Sequence, residues 1–332
     1  MAADGLAVDR GARVGEPAEI DLMAFLPHLW TIAPRLRHGF SPKAVPESRP
    51  WETVIEDPKL GPVRLTGRLR EVPESEEILI LVHGLGGSTE SHYMAGGAAA
   101  AEAAGLSCLR MNLRGSDRQG EDFYHAGLTA DLHAALASEP LSHYRRIYVL
   151  GYSLGGHLAL RFGTDEGDPR VAAVAAICSP LDLGRSVVEI DALWVYRPYL
   201  LNSLKSIYAA VAARRPVPLP VEEAARIRTL REWDDRVVAP RHGFASADDY
   251  YTRASVAPLL PRLRVPALLV NSECDPMVPA RAVRPALENP VPGLEVRWIP
   301  GGGHVAFPRD LNAGLAGGVG LDAQVVGWMR GQ

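Results

Sequence analysis

The sequence predicts an α/β fold: a mostly parallel eight-stranded sheet with helices on both faces and a mainly helical cap inserted after the sixth strand. Short apolar runs alternate with helical stretches along most of the chain. Some of these runs, Ile78–Val82 and Val171–Ile177 among them, are unbroken, as befits strands buried on both faces of a parallel sheet. The alternation lapses once, from about Leu181 to Arg262, in a stretch holding Trp194, Tyr196, Tyr199, Tyr208, Trp233, Phe244, Tyr250 and Tyr251.

Taken in order, residues 1–20 are polar and Gly-rich and read as a loose arm. Residues 21–50 carry apolar clusters broken by five prolines, and Leu22–Leu26 with Leu29 and Trp30 suggests a short helix laid on the main domain. Trp51–Glu56 and Val63–Arg70 alternate apolar and polar around Pro58 and Gly61, the pattern of an edge hairpin. Ile78–Val82 is the third strand, the Ala-rich 94–104 a helix, and Leu106–Leu113 a strand. A helix over 126–138 precedes the strand Arg146–Leu150 and the helix opening at His157. Val171–Ile177, Pro266–Asn271 and Leu294–Ile299 complete the strands, with helices over 280–288 and 319–330. The predicted division is an N-terminal arm (1–50), a core (51–180 and 263–332) and a cap (181–262).

With 47% hydrophobic and 22% charged residues, the composition is that of an ordinary globular protein. The net charge of −4 and the lack of any basic run argue against a nucleic-acid partner. No window approaches the ~18 apolar residues that span a bilayer. The first residues lack the apolar core of a signal peptide, so a cytoplasmic location is expected. Cys108, Cys178 and Cys274 follow no disulfide pattern and are expected to be reduced and buried. Oligomeric state has no signature here.

The chemistry centres on Gly151-Tyr152-Ser153-Leu154-Gly155, a G-x-S-x-G sequence between an apolar strand and a helix. A turn this tight crowds any Cβ two residues before or after the serine, and it holds the Ser153 oxygen in the open. A serine hydroxyl needs an oriented base to remove its proton. An elbow of this kind is followed in the chain by an acid and then a histidine. The acid is expected in Ser272-Glu273-Cys274-Asp275-Pro276, where Asp275 is chosen and Glu273 is the competitor. The base is His304, in Gly301-Gly302-Gly303-His304 after the last strand. Two backbone amides should stabilise the oxyanion, Leu154 after the serine and Leu85 in His83-Gly84-Leu85-Gly86. His83, Arg114 and His157 read as structural: His83 shaping its loop, Arg114 bonding loop carbonyls, His157 packing.

Together these residues resemble the α/β-hydrolase superfamily, and within it the YheT-like predicted hydrolases related to eukaryotic abhydrolase-domain proteins. The resemblance spans roughly residues 50–330. It is carried by Leu81–Ser88, Asn112–Ser116, Tyr124–Gly127 with Asp131-Leu132, Gly151–Gly156, Ser179–Leu183, Trp233–Asp235, Gly243-Phe244, Asp249–Tyr251, Asp275-Pro276 and Gly302–Val305. Trp233 stands where the pattern usually has Phe, Ala306 where it has Gly, and Glu-Cys-Asp-Pro where Asp-Asp-Pro is commoner. The resemblance implies an α/β-hydrolase fold and hydrolysis of short-chain or lipid-like carboxylic esters, with no cofactor or metal. An acyltransferase using the same triad and a non-catalytic binding module on this scaffold are the alternatives. A haloalkane dehalogenase would want a carboxylate at the elbow. Asp234, Asp235, Asp249 and Tyr250 are expected to tie the cap to the core rather than gate substrate. Any membrane contact of the apolar Leu193–Tyr196 and Tyr199–Leu201 stretches would be peripheral, without stable insertion.

Overall fold

The computed structural model describes residues 22–40 and 44–332; the arm expected over residues 1–20 lies outside them. Eight strands form one sheet: β1 (Arg49–Asp57), β2 (Gly61–Arg70), β3 (Glu77–Val82), β4 (Ser107–Met111), β5 (Arg146–Tyr152), β6 (Val171–Ile177), β7 (Ala267–Ser272) and β8 (Leu294–Ile299). Their spatial order is β1-β2-β4-β3-β5-β6-β7-β8. The β1–β2 hairpin and its junction with β4 are antiparallel, and every other pairing is parallel.

The alternation of side chains along β3 explains the layers. Ile78, Ile80 and Val82 face one core, which continues into Leu132, Leu136 and Leu158. Leu79 and Leu81 face the other, against Met94, Ala101, Val325 and Met329. These five β3 residues, Ile78–Val82, are fully buried, each contributing roughly 1.5–3 kcal/mol relative to exposure. α1 (Leu22–Phe40) lies against α2 (His92–Ala103), and α2, α3 (Ala130–Ala137) and α4 (Leu154–Phe162) cover the sheet. Between β6 and β7 the chain is helical: α5 (Leu183–Ala192), α6 (Tyr196–Ala212), α7 (Val221–Arg226), α8 (Leu230–Trp233), α9 (Ala239–His242) and α10 (Ala247–Ala254). A π-helical turn, Asp234–Val238, joins α8 to α9. After β7 come α11 (Ala280–Val283) and, last, α12 (Leu321–Arg330).

Four local expectations change. The N-terminal helix runs to Phe40, through Pro27 and Pro34, instead of ending near Trp30. Contacts with the rest of the fold hold it, among them His28 Nδ1 at 2.8 Å from the Tyr196 hydroxyl. The helix expected over 280–288 is α-helical only to Val283. It continues as a 3-10 turn over Arg284–Leu287, where Pro285 lacks an N–H. Cys108 and Cys178 are buried, but Cys274 is exposed, because the turn after β7 carries it out of the sheet. Arg114 binds carboxylates rather than loop carbonyls. Its guanidinium meets Asp57 at 2.8 Å, Asp122 at 3.0 Å and both oxygens of Asp131, and it is 1% exposed. A buried guanidinium needs such counter-charges to offset its desolvation.

Candidate active site

Ser153 lies between the end of β5 and the first turn of α4 with φ 54° and ψ −120°, a backbone conformation that L-residues rarely adopt. The neighbouring glycines permit it. A Cβ on Gly151 would stand 2.0 Å from the Gly155 oxygen, and one on Gly155 would stand 2.3 Å from the Val82 oxygen. No side chain fits either gap.

His304 follows β8, in a loop drawn against α1. Its amide donates to Thr31 Oγ1 at 2.9 Å, and Thr31 Oγ1 donates to the Pro27 carbonyl at 2.8 Å. Gly303 makes the approach possible, since a Cβ there would stand 2.5 Å from the Pro27 oxygen. Asp275, after β7, accepts the amides of Met277 at 2.8 Å and Val278 at 2.9 Å on Oδ1. The imidazole links the two sides. Nδ1 is 2.9 and 3.1 Å from the two Asp275 oxygens, and Nε2 is 2.9 Å from Ser153 Oγ. With Nδ1–H donating to a carboxylate, Nε2 is the acceptor for the serine proton. Asp275 and His304 are buried, whereas Ser153 is partly open. Glu273 instead pairs with Arg284 on the surface at 2.6 Å.

The loop after β3 is fixed almost residue by residue. The Gly84 amide donates to the Tyr93 hydroxyl (3.0 Å), Gly86 to the Tyr124 hydroxyl (2.7 Å) and Gly87 to the Gly84 carbonyl (3.0 Å). From α6, Ser203 Oγ donates to the Gly86 carbonyl at 2.6 Å. Among the described residues the Leu85 amide has no acceptor, and neither does that of Leu154 at the start of α4. The loop lies close to the elbow, for a Cβ on Gly84 would stand 3.0 Å from Ser153 Cβ. His83 stays on the far side of this loop. It accepts the Leu113 amide on Nε2 at 3.0 Å, so Nδ1–H donates to the Gly84 carbonyl at 2.8 Å. Burial pushes it down to about 4 and keeps it neutral.

Thr31 and Cys178 carry no motif. Thr31 comes from a helix 273 residues away in sequence, and no local pattern connects it to His304. Cys178, just after β6, has φ 53° and points its sulfur at the Gly303 carbonyl, 3.7 Å away. Its sulfur and the ligand atoms of Asp275 and His304 lie within 4.8 Å of one another, the spacing of a possible cation site. Burial, then the Asp275 carboxylate, raise the Cys178 thiol well above its ordinary value, and Asp275 already faces His304 Nδ1. A protonated thiol and an engaged carboxylate suit a hydrogen-bonded cluster better than a metal.

A chamber of about 90 Å³ opens beside Ser153 and Leu154, between the sheet and the helices that follow β6. Leu85, Val187, Ile207, Trp233 and Val238 are part of its largely apolar wall. Polar bonds tie the roof to the sheet domain. The Tyr250 hydroxyl accepts the Ala126 amide at 2.9 Å, and Arg241 reaches Asp122 at 2.7 Å. Asp235 and Asp249, expected to make such ties, instead accept the amides of Ala247 and Ala245 within the insertion itself.

Comparison with known proteins bears on this arrangement. A model described as the Alpha/beta hydrolase family matches residues 79–314. "Putative esterase YheT" of Escherichia coli (strain K12) is 33% identical over 243 residues, covering 69% of this chain and 70% of that protein. "Medium-chain fatty acid ethyl ester synthase/esterase 2" of Saccharomyces cerevisiae is 25% identical over 268 residues, covering 71% of this chain and 58% of that protein. The solved structure of the Pyrococcus furiosus esterase PF2001 superposes with a TM-score of 0.52 at 16% identity, over 78% of this chain and 84% of that one. At that identity the likeness concerns the fold. No described helix is long and apolar enough to cross a membrane.

Proposed function

Because the chain belongs to the alpha/beta hydrolase family, we propose that it is a carboxylic ester hydrolase acting through an acyl-enzyme on Ser153. The observation that carries this reading is the unbroken line Asp275–His304–Ser153, with contacts of 2.9 Å at both junctions. Ser153 Oγ attacks the ester carbonyl as His304 Nε2 takes its proton. The C–O bond to the alcohol then breaks, and His304 returns the proton to the leaving oxygen. Water repeats the sequence, with His304 taking its proton, and frees the acid and Ser153. Asp275 orients His304 and balances its charged form. The amides of Leu85 and Leu154 receive the oxyanion, each donor of this kind contributing ~3 kcal/mol to the transition state. No cofactor enters these steps. The substrate is a small-molecule ester, short-chain or lipid-like.

The helices over 181–262 act as a cap on a core made of 51–180 and 263–332, with 1–50 as an N-terminal arm; the setting is cytoplasmic. Transfer of the acyl group to an alcohol instead of water is the second reading. It is favoured by the name of the yeast relative, which joins an ester synthase to an esterase.

The test is hydrolysis of p-nitrophenyl esters of increasing acyl length by wild type and Ser153→Ala. Turnover should fall by about 10⁴-fold or more in the variant at unchanged Tm, and a fluorophosphonate should label Ser153 in the wild type alone. A folded wild type that neither turns over nor takes the label would be a binding module. Added ethanol that diverts product from acid to ethyl ester would favour the transferase.

A further inference from the structure

The largely apolar chamber carries one carboxyl in its lining. Asp234 begins the π-helical turn and lines the chamber together with Tyr251. The Tyr251 hydroxyl donates to Asp234 Oδ2 at 2.8 Å. For Oδ1 no hydrogen-bond partner is found among the described residues, and Asp234 keeps part of its surface accessible where it borders the chamber. Protein otherwise encloses the carboxyl, and this burial pushes it up to about 7. Tyr251 and Arg231 oppose the rise, and Asp191 adds to it. A half-satisfied carboxyl in an apolar wall is costly. π turns, which squeeze an extra residue into a helix, are frequent at functional sites. A tie between this turn and α10 would be served by one acceptor for Tyr251 and needs no second oxygen.

Resting on the ester-hydrolase reading, we propose that Asp234, held by Tyr251, determines specificity within an acyl subsite, and that the preferred esters carry a hydroxyl group on the acyl chain. The lining sets the chemistry. Asp234 is the single acid among the lining residues, and no lysine or arginine joins it. A carboxylated chain would therefore find no cation. An ammonium would have to shed its water beside one carboxyl that is easily protonated. A hydroxyl suits either state, donating to the carboxylate or accepting from the acid.

The experiment compares kcat/KM for ethyl butanoate with ethyl 3-hydroxybutanoate, and ethyl hexanoate with ethyl 6-hydroxyhexanoate. Wild type should favour the hydroxylated member of at least one pair by about ten- to a hundredfold, since a site built to bond a hydroxyl penalises its absence. In Asp234→Leu that ratio should fall to about one or below, and in Tyr251→Phe it should fall severalfold. A merely structural Asp234 would change both esters alike and leave the ratio where it was. The proposal fails if wild type shows no hydroxyl preference in either pair, if Asp234→Leu keeps the wild-type ratio, or if ethyl 3-aminobutanoate outcompetes the hydroxy ester. Turnover without preference sinks the subsite alone. Absence of both turnover and Ser153 labelling sinks the hydrolase reading, and the subsite with it.

Discussion

At the carboxyl ends of the strands, main-chain geometry fixes two of the groups proposed to react. Ser153 sits in a strained turn that only glycines at 151 and 155 allow, and Asp275 is pinned by two amides within three residues of itself. The helices between β6 and β7 are held differently. Their ties to the sheet domain are long-range side-chain bonds: Arg241 to Asp122, Tyr250 to the Ala126 amide, Ser203 to the Gly86 carbonyl, and His157 to the Ala254 carbonyl at 2.9 Å. Local backbone constraint leaves a short sequence signature because its parts are adjacent. Side-chain ties across a hundred residues leave almost none. In the proposed mechanism the difference also separates roles: a rigid end suited to bond breaking, and a roof whose lining can change without disturbing it.

Three measurements would break or sharpen that contrast. Asp275→Asn should cost about 10³–10⁴ in kcat with little change in Tm, because His304 would lose its carboxylate partner while the backbone held its shape. Glu273→Gln should be near neutral, since Glu273 meets only Arg284 at the surface. Equal losses from the two variants would show that Asp275 is not the orienting acid.

Asp122→Asn should act on stability instead. Asp122 bridges Arg114 of the core and Arg241 of the roof, and all three side chains are at most 11% exposed. Leaving Arg114 undercompensated should cost about 3–5 kcal/mol in urea unfolding. A loss below ~1 kcal/mol would mean that this ion-paired bridge contributes little to holding the roof.

The smallest effect is a pH dependence from Asp234. Its carboxyl rises from an ordinary 3.8 to about 7 in the fold, so the native state binds the proton more tightly than the unfolded chain. Its contribution is fully present below about pH 4 and is lost as pH climbs through 7. Relative to wild type, Asp234→Asn should gain up to a few kcal/mol between pH 4 and pH 8, at about 1.4 kcal/mol for each tenfold difference in proton affinity between the folded and unfolded chains. Tyr251, Asp191 and Arg231 are the groups whose fields act on this carboxyl, and none of them is changed by the substitution. A pH-independent difference between the two proteins would mean that Asp234 is ionised throughout.

The sequence alone carried the eight strands, their edge hairpin, the break after β6, and the order Ser153, Asp275, His304. Each rests on a local rule: uninterrupted apolar runs for strands buried on both faces, glycines where a Cβ cannot go, an acid and a histidine just past strand ends. It also marked Trp233–Asp235 and Asp249–Tyr251 as a pattern, without saying what they touch. Only the tertiary structure decided that α1 crosses its two prolines to hold the His304 loop through Thr31, that Arg114 gathers three carboxylates, that Cys274 is turned to solvent, and that Asp234 meets Tyr251 at the wall of the chamber. Those contacts join residues far apart in the chain. Their partners are chosen by packing, which brings polar groups out of water and leaves them to satisfy one another.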